Sequence, residues 1–284
     1  MSELHNNQTP LSEVEAEARR TPEEQSEWHA QVGDIRGNDG DFRGALDEYK
    51  KAARLNPTSP QHLSKLAEGY AAADLPFKAL DYYQRALESQ REQGGEELVE
   101  AHLGLGDLCR TFARSATAIR SYERAVRSRP RKPFYRWKLA VALTTLGLYE
   151  QAEQQLLTAL QLAPKDAFYR FQLADVYLLM RRDREAIEEL EQVVVLAPRD
   201  EYYRLRLGAA LLRAGRTPEA VPHFERAVEL QPQNSSYRVL LRYAYMRDEQ
   251  APAISIDIEM LELGAYDEDF VHRIQRLAEP VGAG

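Results

Sequence analysis

The residues of this chain best suited to hold a metal or to act as base or nucleophile are six histidines and one cysteine, and their spacing assembles no site. His5, His29, His62, His102, His223 and His272 are scattered, none placed three or four residues from another potential ligand pair as a metal site on a helix requires. Cys109 stands alone, which rules out an intramolecular disulfide and fits a reducing compartment. A packed thiol is expected there, because cysteine is among the most buried residue types. Gly94-Gly95 would suit a phosphate loop, but Glu96-Glu97 follow and would repel the anion. The carboxylates lie beside Lys or Arg, the pattern of a solvated helix surface. The chain reads as non-catalytic, with no cofactor and no metal.

Arginine is placed more regularly. Arg136, Arg170, Arg204 and Arg238 recur every 34 residues, each four before Ala140, Ala174, Gly208 or Arg242. Two fates are open to such a column: pairing with an acidic side chain or a helix-end carbonyl of a neighbouring unit, or a row of guanidinium groups facing an acidic ligand. Charge is uneven as well. From Arg110 to Lys138 there are ten basic residues and one acidic, Glu123, a net of +9 in a chain of net charge −8. Arg124, Arg127, Arg129, Arg131 and Lys132 form the middle of that band, which could meet an anionic partner or the acidic end of another copy. Nucleic acid is disfavoured by a pI near 5.4 and the lack of a base-stacking module.

The elements that must position these residues follow from a repeat. Pro133–Pro164, Ala167–Pro198 and Glu201–Pro232 carry equivalent residues 34 apart: Tyr135, Tyr169 and Tyr203; Leu139-Ala140, Leu173-Ala174 and Leu207-Gly208; Ala152, Ala186 and Ala220; Leu156, Leu190 and Phe224. Apolar spacings of three and four put these residues on one side of each of two helices per segment. Gly147 and Gly215 allow a left-handed turn between the two helices, Thr217-Pro218 offers a cap and a first-turn proline, and Asp166 and Asp200 are N-caps of first helices. Pro164, Pro198 and Pro232 close the second helices. A lone helical hairpin cannot bury its apolar side, so neighbours must stack into an all-α solenoid.

Seven repeats are expected at about 22–57, 60–91, 99–130, 133–164, 167–198, 201–232 and 235–264, after a polar, partly disordered segment 1–20. Ser12 to Glu15 resembles a capping box, and Thr21-Pro22-Glu23-Glu24 is a stronger helix start. The charged stretch from Ser89 to Glu97 delays the third repeat by about five residues, which predicts a longer second helix and a wider loop. In the seventh unit Asn234 caps a first helix, and a second runs from Pro252 to Leu263 with Ile254, Ile258 and Leu261 where the others have small residues. Residues 265–284 supply a terminal capping helix and tail, with Asp267 as cap and Phe270, Val271, Ile274 and Leu277 on one side. No apolar run approaches a membrane span and the start lacks a signal peptide, so a cytoplasmic protein without membrane contact is expected.

These units resemble the tetratricopeptide repeat family, whose 34-residue pattern runs from an aromatic through Leu-Gly to a later Ala, Phe and closing Pro; here Ala often replaces the Gly. The resemblance implies a right-handed superhelix whose first helices line the concave side. The groove residues would then be Phe134, Trp137 and Val141; Phe168, Phe171, Asp175 and Leu178; and Tyr202, Leu205, Ala209 and Leu212. Either these rings complete the packing between units or they anchor an extended or helical partner segment. The resemblance also sets two subclasses aside. A Lys/Asn carboxylate clamp finds Trp137, Val141, Phe171 and Asp175 at its places, and an Asn ladder finds Lys138, Gln172 and Arg206. The expected function is an adaptor binding a protein segment in its groove. The alternatives are a self-assembling homo-oligomer using acidic ends and the basic band, or a binder of an anionic ligand or RNA.

Overall fold

The computed structural model describes residues 20–247 and 267–279 of the 284. Among the described residues all regular structure is helical. The helices are α1 (Pro22–Asn38), α2 (Phe42–Leu55), α3 (Pro60–Ala72), α4 (Pro76–Gln93), α5 (Val99–Thr111), α6 (Ser115–Ser128), α7 (Pro133–Thr145), α8 (Tyr149–Leu162), α9 (Ala167–Leu179), α10 (Asp183–Leu196), α11 (Glu201–Arg213), α12 (Thr217–Leu230), α13 (Ser235–Arg247) and α14 (Glu268–Ala278). The expectations for Ser12 to Glu15 and for a helix over Pro252 to Leu263 lie outside the described residues.

The chain forms two compact units that meet in sequence at Pro130 and Arg131. In the first, α1/α2, α3/α4 and α5/α6 are antiparallel hairpins, and each second helix packs on the next first helix. In the second, α7/α8, α9/α10 and α11/α12 repeat the plan, and α12 packs on α13. The buried residues follow the repeat: Ala152, Ala186 and Ala220 are 0% exposed, and Leu156, Leu190 and Phe224 at most 1%.

Local chemistry explains the boundaries. Thr21 and Glu24 close a reciprocal capping box: Thr21 Oγ1 accepts from the Glu24 N–H at 3.2 Å, and Glu24 Oε2 accepts from the Thr21 N–H at 2.7 Å. Asp166 Oδ1 accepts from Phe168 N at 2.9 Å and Asp200 Oδ1 from Tyr203 N at 3.1 Å, as capping requires. Thr217 is not a cap. It is the first helical residue of α12, and Arg216 stands before it with no side-chain cap bond, because a guanidinium has no acceptor to offer a first-turn N–H; it donates to Glu219 instead. The second helix of the second hairpin is indeed longer, 18 residues in α4 against 14 in α2, α6, α8, α10 and α12.

Each described hairpin turns on one left-handed residue. Gly40, Gly147 and Gly215 serve in three, and Asp74, Ala113 and Arg181 serve in the others at φ 57°, 55° and 64°. Only the first set could be expected from residue type, since a Cβ at positive φ costs energy.

Glycine at the position after the recurring Leu has a different cause. A Cβ on Gly208 would lie 2.6 Å from Phe224 Cε2, and one on Gly106 would lie 2.7 Å from Tyr122 Cε1. Where the facing residue is Leu156 or Leu190, the chain carries Ala140 or Ala174 instead. In these four hairpins ring faces Gly and Leu faces Ala, which keeps the volume shared by the two helices similar, whereas the second hairpin sets Ala67 at the same position as Gly106 with Tyr83 as its ring.

Candidate functional site

The first helices of the second unit carry aromatic residues at one register and join them across the hairpins. Phe134 stands 5.5 Å from Trp137, and Trp137 meets Phe168 of α9 edge-on at 5.0 Å between ring centroids. Phe171 meets Tyr202 of α11 edge-on at 5.8 Å. Trp137 Nε1 donates to Gln172 Oε1 at 3.0 Å, so the indole is held by the neighbouring hairpin. Lys138 Nζ lies 5.4 Å from the centroids of both Phe134 and Trp137, and the Arg206 guanidinium lies 4.9 Å above Phe171, each a cation on a ring face. Arg206 also bonds Tyr202 Oη at 3.0 Å and pairs with Asp175. Burial pushes the Asp175 carboxyl upward, and Arg206 only partly offsets it.

The groove residues inferred from the sequence divide sharply by exposure. Phe134, Phe168 and Tyr202 are exposed at 43%, 37% and 37%. Trp137, Val141 and Asp175 are half-buried, whereas Phe171, Leu178, Leu205, Ala209 and Leu212 are buried. Burial grows along the unit: at one repeat position Trp137 is half-buried, Phe171 6% exposed and Leu205 0% exposed.

At the far end α14 packs against α11 and α13. Sequence pattern marked this segment as an apolar-sided helix capped by Asp267, and Asp267 Oδ1 does accept from Phe270 N at 2.8 Å. Val271, Ile274 and Ala278 are its buried residues. It packs on the first helix of the seventh repeat, α13, as a terminal cap should. It reaches back to α11, where Leu205, Ala209 and Leu212 are at most 2% exposed.

Three of the four column arginines pair inside the repeats. Arg136 Nη1 donates to Gln155 Oε1 at 3.1 Å and Arg170 Nη1 to Glu189 Oε2 at 2.5 Å, both 19 residues later on the second helix of the same hairpin. The buried pair His29 Nδ1 and Glu48 Oε2, at 2.6 Å, has the same separation. Burial opposes ionisation of Glu48, yet bonds from Lys51 and His29 hold its carboxyl below the usual range. In the sixth hairpin the partner position is His223, and Arg204 turns to the Pro198 carbonyl at 2.8 Å. Burial, then the nearby Arg204 charge, pushes His223 down. Arg238, half-buried on α13, completes the column. The residue 19 positions downstream was a legible signal for this pairing and was not read from the sequence.

Arg124, Arg127 and Arg129 are exposed in the first unit, and Arg131 and Lys132 in the second. Arg124 stands 4.0 Å from Glu97. In the first unit the register that holds Val141 and Asp175 in the second carries Asp34, Glu68 and Asp107. Tyr49 Oη donates to Asp34 at 2.8 Å and Tyr122 Oη to Asp107 at 2.6 Å, while burial raises Glu68 despite Lys65 beside it. That acidic register also escaped the sequence reading. Cys109 is 1% exposed and its thiol is pushed up by burial. Among the described residues no three His, Cys, Asp or Glu side chains are grouped to hold a metal, and no helix is long and apolar enough to cross a membrane.

No curated protein matches the chain in sequence. Solved structures do match its fold. PilF of Pseudomonas aeruginosa superposes with a TM-score of 0.61 at 17% identity, over 78% of this chain and 98% of that one. YrrB, described as a TPR protein with an unusual peptide-binding site, gives 0.55 at 17% identity over 67% and 93%. MamA of Desulfovibrio magneticus RS-1 gives 0.57 at 16% identity over 63% and 98%. Tetratricopeptide repeat models match residues 58–131, 103–167 and 171–235, and a YpiA-like tetratricopeptide model matches 144–195. Those matches run without a break from residue 58 to residue 235, over hairpins of one repeated plan, and the chain belongs to the tetratricopeptide repeat family.

Proposed function

We infer that the protein is a non-catalytic interaction adaptor whose second unit receives a segment of a partner protein on the first helices α7 and α9. The observation that carries this is the exposure of Phe134, Phe168 and Tyr202, three rings at one register on successive hairpins, each more than a third open. One exposed ring is ordinary, whereas three at equivalent places form an apolar patch of the kind that marks binding surfaces. Their rigidity suits them as anchors, since an aromatic loses few rotamers on binding. The peptide-binding site described for YrrB supports the same use of this fold. The buried single thiol and the acidic composition agree with a cytoplasmic setting.

A photo-crosslinking residue at Phe168 tests this in the native cell, with one at Gln154, exposed on α8, as control. A partner crosslinked from position 168, absent at 154 and lost on Phe134→Ala, is expected. Equal capture from both positions would refute the assignment. The exposed Arg127 and Arg129 favour a second use, salt-sensitive self-association with the acidic ends of another copy. Light scattering across ionic strength distinguishes it, because only self-association gives an oligomer that salt dissolves.

A further inference from the structure

α14 shows what kind of ligand this surface accepts. Two contacts fix how it lies: the Asp267 N–H, at its N-terminus, donates to Ser236 Oγ at 3.1 Å, and Arg247 Nη1 donates to the Ala278 carbonyl at its C-terminus at 2.9 Å. α13 begins at Ser235 and ends at Arg247, so the two helices run parallel. Ser236 occupies the repeat position held by Phe134, Phe168 and Tyr202 in the preceding hairpins. The last hairpin thus carries a small donor-acceptor where the others carry a ring, and α14 starts on it. The helix also packs on α11, whose Leu205, Ala209 and Leu212 are at most 2% exposed. An 11-residue helix, roughly 16 Å long, therefore rests on two adjacent first helices and excludes water from the register assigned to partner binding.

Two repeats earlier the same seat is open. Position for position, Leu205, Ala209 and Leu212 become Trp137, Val141 and Thr144, all half-buried, and Ser236 becomes the exposed Phe168. Charge near the start of that seat is predominantly positive, three cations against the single carboxylate of the N-cap Asp166. Arg131 and Lys132 are exposed just before α7, and Lys165 is exposed before α9. α14 carries Asp267, Glu268 and Asp269 at the corresponding end. Carboxylates there complement both the cations and the positive end of the bound helix.

We propose that the partner of this protein docks through an amphipathic helix with an acidic first turn, laid parallel to α7 across α7 and α9 as α14 lies on α11 and α13. The proposal rests on the interaction reading above and names the class of ligand. Apolar residues spaced three and four apart on the ligand meet Trp137, Val141 and Thr144, and its first-turn carboxylates meet Lys132 and Lys165. α14 is the resident example of the class and fills the far end of the register.

A labelled peptide of residues 267–279, titrated onto the full chain by fluorescence polarisation, tests this. Saturable binding is expected, weakened at least tenfold by Val141→Glu or Thr144→Glu in the chain, or by Ile274→Glu in the peptide, and weakened as salt rises. Helicity and melting measured on both chain variants separate lost binding from lost folding. Absence of binding to the native chain overturns the proposal. So does binding that ignores Val141→Glu and is abolished by Ala209→Glu, which would mean the peptide merely exchanges with α14. A concentration-dependent oligomer dissolved by Ile274→Glu in the chain would assign the seat to α14 of a second copy and overturn a separate partner. If Phe168 crosslinks a partner in the cell while the peptide fails, the adaptor function stands and the helical ligand class falls.

Discussion

Gly208→Ala introduces a methyl group 2.6 Å from Phe224 Cε2, 2.9 Å from Cζ and 3.0 Å from Cδ2. Carbon atoms need roughly 3.5 Å or more, so the ring must retreat by close to an ångström. Phe224 is 1% exposed and has nowhere to go. Overpacking of this kind costs about 1–3 kcal/mol, and the better helix propensity of Ala returns about 1 kcal/mol, leaving a net loss of about 1 kcal/mol. Phe224→Leu alone removes packed volume and costs about 1–2 kcal/mol. In that background the clash is gone and the pair matches Ala140 with Leu156, so adding Gly208→Ala should stabilise by about 0.5–1 kcal/mol. The double-mutant cycle is then non-additive by about 1.5–2 kcal/mol. Urea unfolding followed by circular dichroism on the four proteins measures it. Equal cost of Gly208→Ala with Phe or Leu at 224 would refute volume exchange between the two positions as the reason for Gly here and Ala at 140 and 174.

Other perturbations test the remaining contacts. His223→Glu gives Arg204 the partner that Arg170 has in Glu189, and should stabilise by about 0.5–1 kcal/mol at low salt with the gain shrinking as salt rises, read from urea midpoints. Arg181→Gly relieves a left-handed residue at φ 64° and should raise stability by about 0.5–1 kcal/mol, measured in the same way. Burial depresses the titration of His62, His102 and His223 below their ordinary value of about 6.5. Between the depressed folded values and 6.5 the unfolded chain binds protons that the folded chain does not, so stability should rise with pH through that window and fall as pH drops below about 6.5. Urea midpoints at several pH values should show the slope, and His223→Gln should reduce it.

The hairpin plan was legible because its markers have local causes. Asp166 and Asp200 cap because a short acceptor reaches the free N–H groups of a first turn, and the closing prolines cannot extend a helix. Gly147 and Gly215 announce a left-handed turn, whereas Asp74, Ala113 and Arg181 do the same work without announcing it. The arginine column was visible as a period, but its partners Gln155 and Glu189 were not, because a contact between two helices leaves no period of its own within either. The apolar side of α14 showed that the helix buries a face. It could not show that the face belongs on α11, which depends on a tertiary choice between equivalent first helices.

The most direct test compares two equivalent positions 68 residues apart. In a Cys109→Ala background, Val141→Cys and Ala209→Cys are labelled separately with a maleimide and the rates compared. Rapid labelling at 141, strong protection at 209, and release of that protection by Ile274→Asp are expected if α14 covers one end of the register and leaves the other open to a ligand. Equal rates at 141 and 209, or protection at 209 that survives Ile274→Asp, would contradict the account.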